Sequence, residues 1–202
     1  MLTVHHLNQS RSTRILWLLE ELAIDYKRVD YQRDAVTHLA PDTLKLVHPL
    51  GKAPILVDDT VTLCESSTII EYVLDQYSEQ RLRPAQGSQS YYQYLEWSHF
   101  AEGSLALPVV TSTLLNMETR DGQQPMDGYI AKEANVDFTY IDNTLSKQPY
   151  FAGDEFTAAD IMMAVSLDMA SRVGLLKGKE HTLAYLKKVQ QRPAYIKAKS
   201  FG

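Results

Sequence analysis

Three short stretches carry residue types that could do chemistry. Ser10-Arg11-Ser12 stands between an extended run, Leu2 to Leu7, and a segment with apolar residues at 15, 18, 19 and 22, which is helical spacing. The first turn of a helix has unpaired N–H groups and partial positive charge. A hydroxyl placed there can donate to a bound anion, a thiolate included. Serine is also a preferred N-cap, and taken alone the stretch fits that role better. The second stretch is Gly51-Lys52-Ala53-Pro54-Ile55-Leu56. A cis Ala53–Pro54 bond would turn the Ala53 backbone toward an extended, peptide-like ligand. Most X-Pro bonds are trans, so by itself Pro54 reads as the opening of an edge strand. The third is Glu65-Ser66-Ser67, between a strand and an amphipathic helix. A serine hydroxyl with helix-terminal amides makes a carboxylate site, and Glu65 could hold an ammonium. Capping explains the same serines.

The elements that must position these residues follow from periodicity. Leu2–Leu7 and Tyr26–Tyr31 read as strands. Ala53–Val57 and Val61–Cys64 flank Asp58-Asp59-Thr60 as a tight hairpin. Arg14–Leu22 and the segment containing Ile69, Ile70, Val73, Leu74 and Tyr77 read as amphipathic helices. A longer irregular stretch separates the second and third strands. The polar stretch from Ser78 to Ser88, with Pro84 and Gly87, reads as an interdomain join. Beyond it strand signals disappear. Tyr91–Leu115 is mostly helical in pattern, and Met126–Leu145 places Ile130, Ala134, Phe138 and Ile141 on one face. Thr157 opens another helix, and Leu183–Val189 forms a last one, ended by Arg192-Pro193.

Composition excludes several classes. In 202 residues, 20 Lys and Arg stand against 25 Asp and Glu, a net charge of −5, which argues against nucleic-acid binding and against a polybasic membrane anchor. The apolar runs are too short to span a bilayer, and the N-terminal residues do not read as a signal peptide. One cysteine, Cys64, excludes an internal disulfide, a cysteine-rich zinc site and a CxxC centre. It reads as packing, and a reducing compartment, the cytoplasm, is expected. His5 and His6 are adjacent on a strand and point to opposite faces, and no metal-ligand spacing occurs among the six histidines. No glycine-rich phosphate loop suggests a nucleotide cofactor.

Taken together, Ser10-Arg11-Ser12-Thr13-Arg14, His48-Pro49-Leu50-Gly51-Lys52-Ala53-Pro54 and Cys64-Glu65-Ser66 resemble the soluble glutathione S-transferases. Phe156-Thr157-Ala158-Ala159-Asp160-Ile161 is similar to that family's internal capping box. Tyr94-Leu95-Glu96-Trp97 with Ala101-Glu102-Gly103-Ser104-Leu105 looks most like its bacterial and fungal branch. The resemblance implies an α+β protein, usually a homodimer. A thioredoxin-like βαβαββα domain would cover residues 1–80, a linker 81–90 and an all-α helical bundle 91–202.

The resemblance further implies glutathione as substrate, lying along the edge of the first domain, and no metal. Its γ-glutamyl carboxylate would meet Ser66 and its amino group Glu65. Its cysteinyl backbone would pair with Ala53, presented by cis Pro54, and Lys52 would meet the glycine carboxylate. Ser10 would contact the thiolate, with Ser12, His6 and the Arg11 amide as alternatives. The first-strand tyrosine and the helix-start cysteine of other branches are absent. So is the proline often found before the serine, where Asn8 and Gln9 stand. The implied activity is conjugation of glutathione to small hydrophobic electrophiles, a detoxification chemistry. Peroxide reduction on the same thiolate is an alternative, as is a non-catalytic binding module; the presence of Lys52, Pro54, Glu65 and Ser66 argues against the last. Trp97, His99, Phe100 and Met117 are candidates for the electrophile pocket by position, and bundle core explains them equally well.

Overall fold

The computed structural model describes all 202 residues. They form two compact units, Met1–Leu82 with Gln191–Gly202, and Arg83–Gln190. The expected helical domain therefore ends earlier than residue 202, because the last twelve residues pack with the first unit.

The first unit is built on a four-stranded mixed sheet in the order β2-β1-β3-β4. Strand β1 (Thr3–Leu7) pairs in parallel with β2 (Lys27–Tyr31) and antiparallel with β3 (Ile55–Asp58), which continues antiparallel into β4 (Val61–Cys64). Helix α1 (Thr13–Leu22) links β1 and β2, and α2 (Ser66–Tyr77) follows β4. The middle helix of the expected βαβαββα order is only a short 3-10 helix, Asp42–Leu46. Its sequence offers one buried apolar anchor, Leu44, too little to hold a longer amphipathic helix.

The apolar spacing read from the sequence lies inside. Val4, Ile15, Leu16, Trp17, Leu18, Leu19, Ile55, Leu56, Ile69 and Val73 are fully buried. The Trp17 ring meets Tyr195 edge-on at 4.8 Å, which seats α8 (Pro193–Lys199) on α1. Arg192-Pro193, expected only to end the preceding helix, also opens this one: Pro193 occupies its first turn, where a missing N–H costs nothing.

The second unit is all helix. The long pattern over 91–115 divides into α3 (Gln89–Gly103) and α4 (Ala106–Leu115), broken at Ser104-Leu105; α5 (Pro125–Leu145), α6 (Ala158–Arg172) and α7 (Glu180–Val189) complete it. Helix α6 is buried almost all round, from Ala158 to Ala170. Asp160 lies on it without exposure and accepts from Thr157 N (2.8 Å), Thr157 Oγ1 (3.1 Å), Phe151 N (3.1 Å) and the Tyr185 hydroxyl (2.8 Å). Those four donors make a buried carboxylate tolerable. No helix is long and apolar enough to cross a membrane.

Candidate active site

Sheet topology gathers the three stretches. The register pairs His5 with Ile55 and Ile55 with Cys64. The C-terminal ends of β1 and β4 and the N-terminal end of β3 therefore lie at the same end of the sheet. Ser10 follows the first, Glu65 and Ser66 the second, and Lys52-Ala53-Pro54 precede the third.

The Ala53–Pro54 peptide bond is cis. Pro54 is buried, Ala53 half-buried and Lys52 exposed. The Cys64 thiol is half-buried and donates to Lys52 O at 3.8 Å, and burial pushes it up from its ordinary range. It ties the two strands' ends together. Glu65 is exposed and adopts φ 73°, ψ 121°, rare for any residue but glycine, while its carbonyl accepts the Ile69 amide at 3.0 Å to start α2. Such backbone costs about 1–3 kcal/mol and clusters at ligand sites. Ser66, the first residue of α2, is buried.

Ser10 lies in the turn before α1 and is half-exposed. Its Oγ stands 2.6 Å from Ser12 Oγ and accepts from Ser12 N at 3.2 Å. Ser12 is fully buried. Its Oγ also reaches His6 Nδ1 at 2.8 Å, Leu7 N at 3.3 Å and Leu7 O at 3.2 Å. His6 is itself buried, with 1% exposure, and desolvation pulls its pKa down. Of the three side chains named for the thiolate, Ser10 alone retains access to solvent. His5 points the other way and meets the Tyr31 hydroxyl at 2.9 Å. The turn uses its own amides. Thr13 N bonds Ser10 O, Arg14 N bonds Arg11 O and Ile15 N bonds Ser12 O.

Sequence reasoning missed what fixes the turn in place of a proline. Asn8 Oδ1 accepts Arg33 N at 2.8 Å, and the Arg33 guanidinium donates to Asn8 O (3.3 Å), Gln9 O (3.4 Å) and His38 O (2.9 Å). No local spacing signals a contact between residues this far apart in the chain.

The proposed electrophile residues are not presented alike. Trp97, 2% exposed, is enclosed by Phe100 (5.2 Å), Tyr140 (5.0 Å) and Phe151 (4.6 Å), so it belongs to the helical core. Phe100 is half-buried on the same helix, whereas His99 and Met117 are exposed. Nowhere in the chain do three or more His, Cys, Asp or Glu residues gather to hold a metal ion.

A sheet end carrying a cis-proline edge beside a hydroxyl-bearing helix start, with an all-helical unit following, defines the glutathione transferase class of fold. Comparison with known proteins agrees. Residues 1–75 match the family model for the glutathione S-transferase N-terminal domain, and residues 104–193 that for its C-terminal domain. Glutathione S-transferase 3 of Schizosaccharomyces pombe is 36% identical over 207 residues, covering 96% of this chain and 85% of the relative. A glutathione S-transferase from Actinobacillus pleuropneumoniae superposes with a TM-score of 0.90 at 31% identity, over 99% of this chain and 92% of that one. The glutathione transferase URE2P6 from Phanerochaete chrysosporium, solved with oxidized glutathione, gives 0.80 at 25% identity, over 98% and 94%. The chain belongs to the glutathione S-transferase family, and it is a glutathione transferase.

Proposed function

We propose that the protein conjugates glutathione to small hydrophobic electrophiles, with Ser10 holding the glutathione thiolate. Ala53 binds the cysteinyl backbone beside Pro54, Glu65 and Ser66 take the γ-glutamyl end, and Lys52 takes the glycine carboxylate. The observation that carries this reading is the convergence of Ser10, cis Pro54 and the Glu65–Ser66 corner at one end of the sheet. A cytoplasmic, homodimeric detoxification enzyme is the setting that the family resemblance supports.

The energetics are sufficient. A free thiol with pKa near 8.5 is a few per cent thiolate at neutral pH. Lowering that value by about two units takes about 2.7 kcal/mol. A hydrogen bond to a charged group supplies about 1.5–3 kcal/mol. The dipole of α1 adds about 0.3–1 kcal/mol.

The test is a titration of the protein with glutathione, following thiolate ultraviolet absorbance against pH. A thiolate signal well below the free thiol's range is expected. Binding without that signal would make the protein a glutathione carrier or regulatory module, and failure to bind would overturn the reading.

A further inference from the structure

Strand order sets a direction across the catalytic end of the sheet. Val29, His5, Ile55 and Cys64 stand side by side in the register, on β2, β1, β3 and β4 in turn. Adjacent strands lie about 4.8 Å apart. The Glu65–Ser66 corner leaves β4, Ala53 and Pro54 lead into β3, and the Ser10 turn leaves β1. Glutathione held by these residues crosses the three strand ends in that order, γ-glutamyl end first, and its sulfur lies at β1. One strand, β2, remains beyond the sulfur. Because β1 and β2 run parallel, the loop after Tyr31 emerges at this same end. The tripeptide occupies the β3 and β4 side of its own sulfur, so the β2 side is left for an electrophile.

The loop on that side bonds its polar groups to one another. Asp34 Oδ1 accepts Val36 N at 3.0 Å, Thr37 N at 2.7 Å and Thr37 Oγ1 at 2.9 Å. Asp34 N donates to Leu39 O at 3.0 Å. His38 N donates to Asp34 O at 3.0 Å, with His38 in the left-handed region at φ 58°. Arg33 then ties the loop to the catalytic turn, since one guanidinium donates to His38 O and to the Asn8 and Gln9 carbonyls. The two large apolar side chains of the loop are left in solvent, Val36 at 85% exposure and Leu39 at 67%. An apolar surface already ordered before binding loses little entropy when a ligand lies on it.

We propose that Val36 and Leu39 form the apolar surface on which the uncharged alkyl or aryl body of the electrophile lies, and so select which electrophiles are conjugated. The proposal deepens the conjugation reading and rests on its placement of glutathione across the strand ends with the sulfur at Ser10.

Calorimetric titration with glutathione, S-methylglutathione and S-hexylglutathione reads this surface without a known electrophile, because the S-alkyl chain leaves the sulfur where an electrophile would lie. Burial of the longer chain should make the wild type bind the hexyl compound at least about tenfold more tightly than the methyl compound. In the double variant Val36→Ser, Leu39→Ser that ratio should fall to about twofold, with affinity for glutathione itself within about twofold of wild type. Both side chains are exposed, so the replacement leaves the core intact. A ratio that survives in the double variant overturns the proposal and leaves the glutathione site standing, and so does a wild-type ratio near one. A wild type that does not bind glutathione overturns the site reading and the proposal together. Sedimentation of the same samples decides one further outcome. If the double variant loses an oligomeric state that the wild type has, the two side chains are a contact between copies of this chain, and the proposal is overturned.

Discussion

Arg192 clasps Glu21 with both arms of its guanidinium: Nε lies 2.5 Å from Oε1 and Nη2 2.7 Å from Oε2. Glu21 Oε1 also accepts the Trp17 indole N–H at 2.9 Å, and Lys197 reaches neighbouring Glu20 at 2.8 Å. The C-terminal segment is thus held on α1 by charge as well as by the Trp17–Tyr195 ring contact. The Glu21 side chain is only 10% exposed, so this pair is weakly screened.

Arg192→Ala should therefore destabilise the protein by about 2 kcal/mol, the scale of hydrogen bonds to a charged group. Arg192→Lys should recover less than half, because an ammonium cannot reproduce the fork. Urea unfolding of the three proteins checks this, and equal midpoints would refute it.

Acid sensitivity is expected at the hairpin. Asp58 accepts from the Tyr77 and Tyr72 hydroxyls, and these bonds, that from Tyr77 foremost, hold its carboxyl below the usual range. A carboxyl depressed by folding stabilises the protein above its unfolded value, about 3.9, and loses that contribution as pH falls through the folded value. Tyr77→Phe should lower Tm at about pH 6, and the difference from wild type should shrink toward about pH 2. A difference independent of pH would count against the assignment.

Asp160→Ala should be among the most damaging single changes in the second unit. It removes the carboxylate that accepts from the Phe151 and Thr157 amides and the Tyr185 hydroxyl, at a position without exposure. A loss of about 3 kcal/mol or more is expected in denaturant unfolding. Asp160→Asn, which keeps one acceptor oxygen, should lose less.

Glu65→Gly separates stability from binding. Glycine accepts a positive φ without strain, so the change should be neutral or stabilising by up to about 1 kcal/mol. Glutathione affinity should nonetheless fall about tenfold, roughly 1.4 kcal/mol, through loss of the carboxylate. Calorimetric titration and a thermal melt on the same sample test both halves. Unchanged affinity would remove Glu65 from the γ-glutamyl site.

Arg33→Ala should lower kcat by about tenfold, roughly 1.4 kcal/mol, with a smaller change in KM for glutathione. It unbonds the Asn8, Gln9 and His38 carbonyls and so loosens the turn carrying Ser10. Full activity would show that the turn holds its shape without the guanidinium.

What the sequence disclosed follows from where its signals are local. The period of Ile130, Ala134, Phe138 and Ile141 gives the buried face of α5, and Thr157 with Asp160 marks the start of α6. Asp59 closes the hairpin at φ 48°. The three chemical stretches were legible because each sits at a strand or helix end. The links among buried side chains were not. His6, Ser12 and Arg33 carry no spacing pattern that announces their contacts, which arise from strand register and a long-range return of the chain. Asp168 likewise accepts from Arg172 one turn along α6 at 2.7 Å and from Gln190, well beyond its own helix, at 3.2 Å. The short helix α8 was hidden because Pro193 signals a stop and a start equally well.

The division of the first unit into Met1–Leu82 and Gln191–Gly202 sets an order on biosynthesis. As the polypeptide leaves the ribosome, the sheet and α1 appear early, but Trp17 and Glu21 must wait for Tyr195 and Arg192, and the Gln9 amide for the Gly202 carbonyl. All of Arg83–Gln190 is made in the interval and can assemble around α6 first. The helical unit, encoded second, can be complete sooner, whereas the turn that bears Ser10 gains its Gly202 contact only after the whole of Arg83–Gln190 has been made.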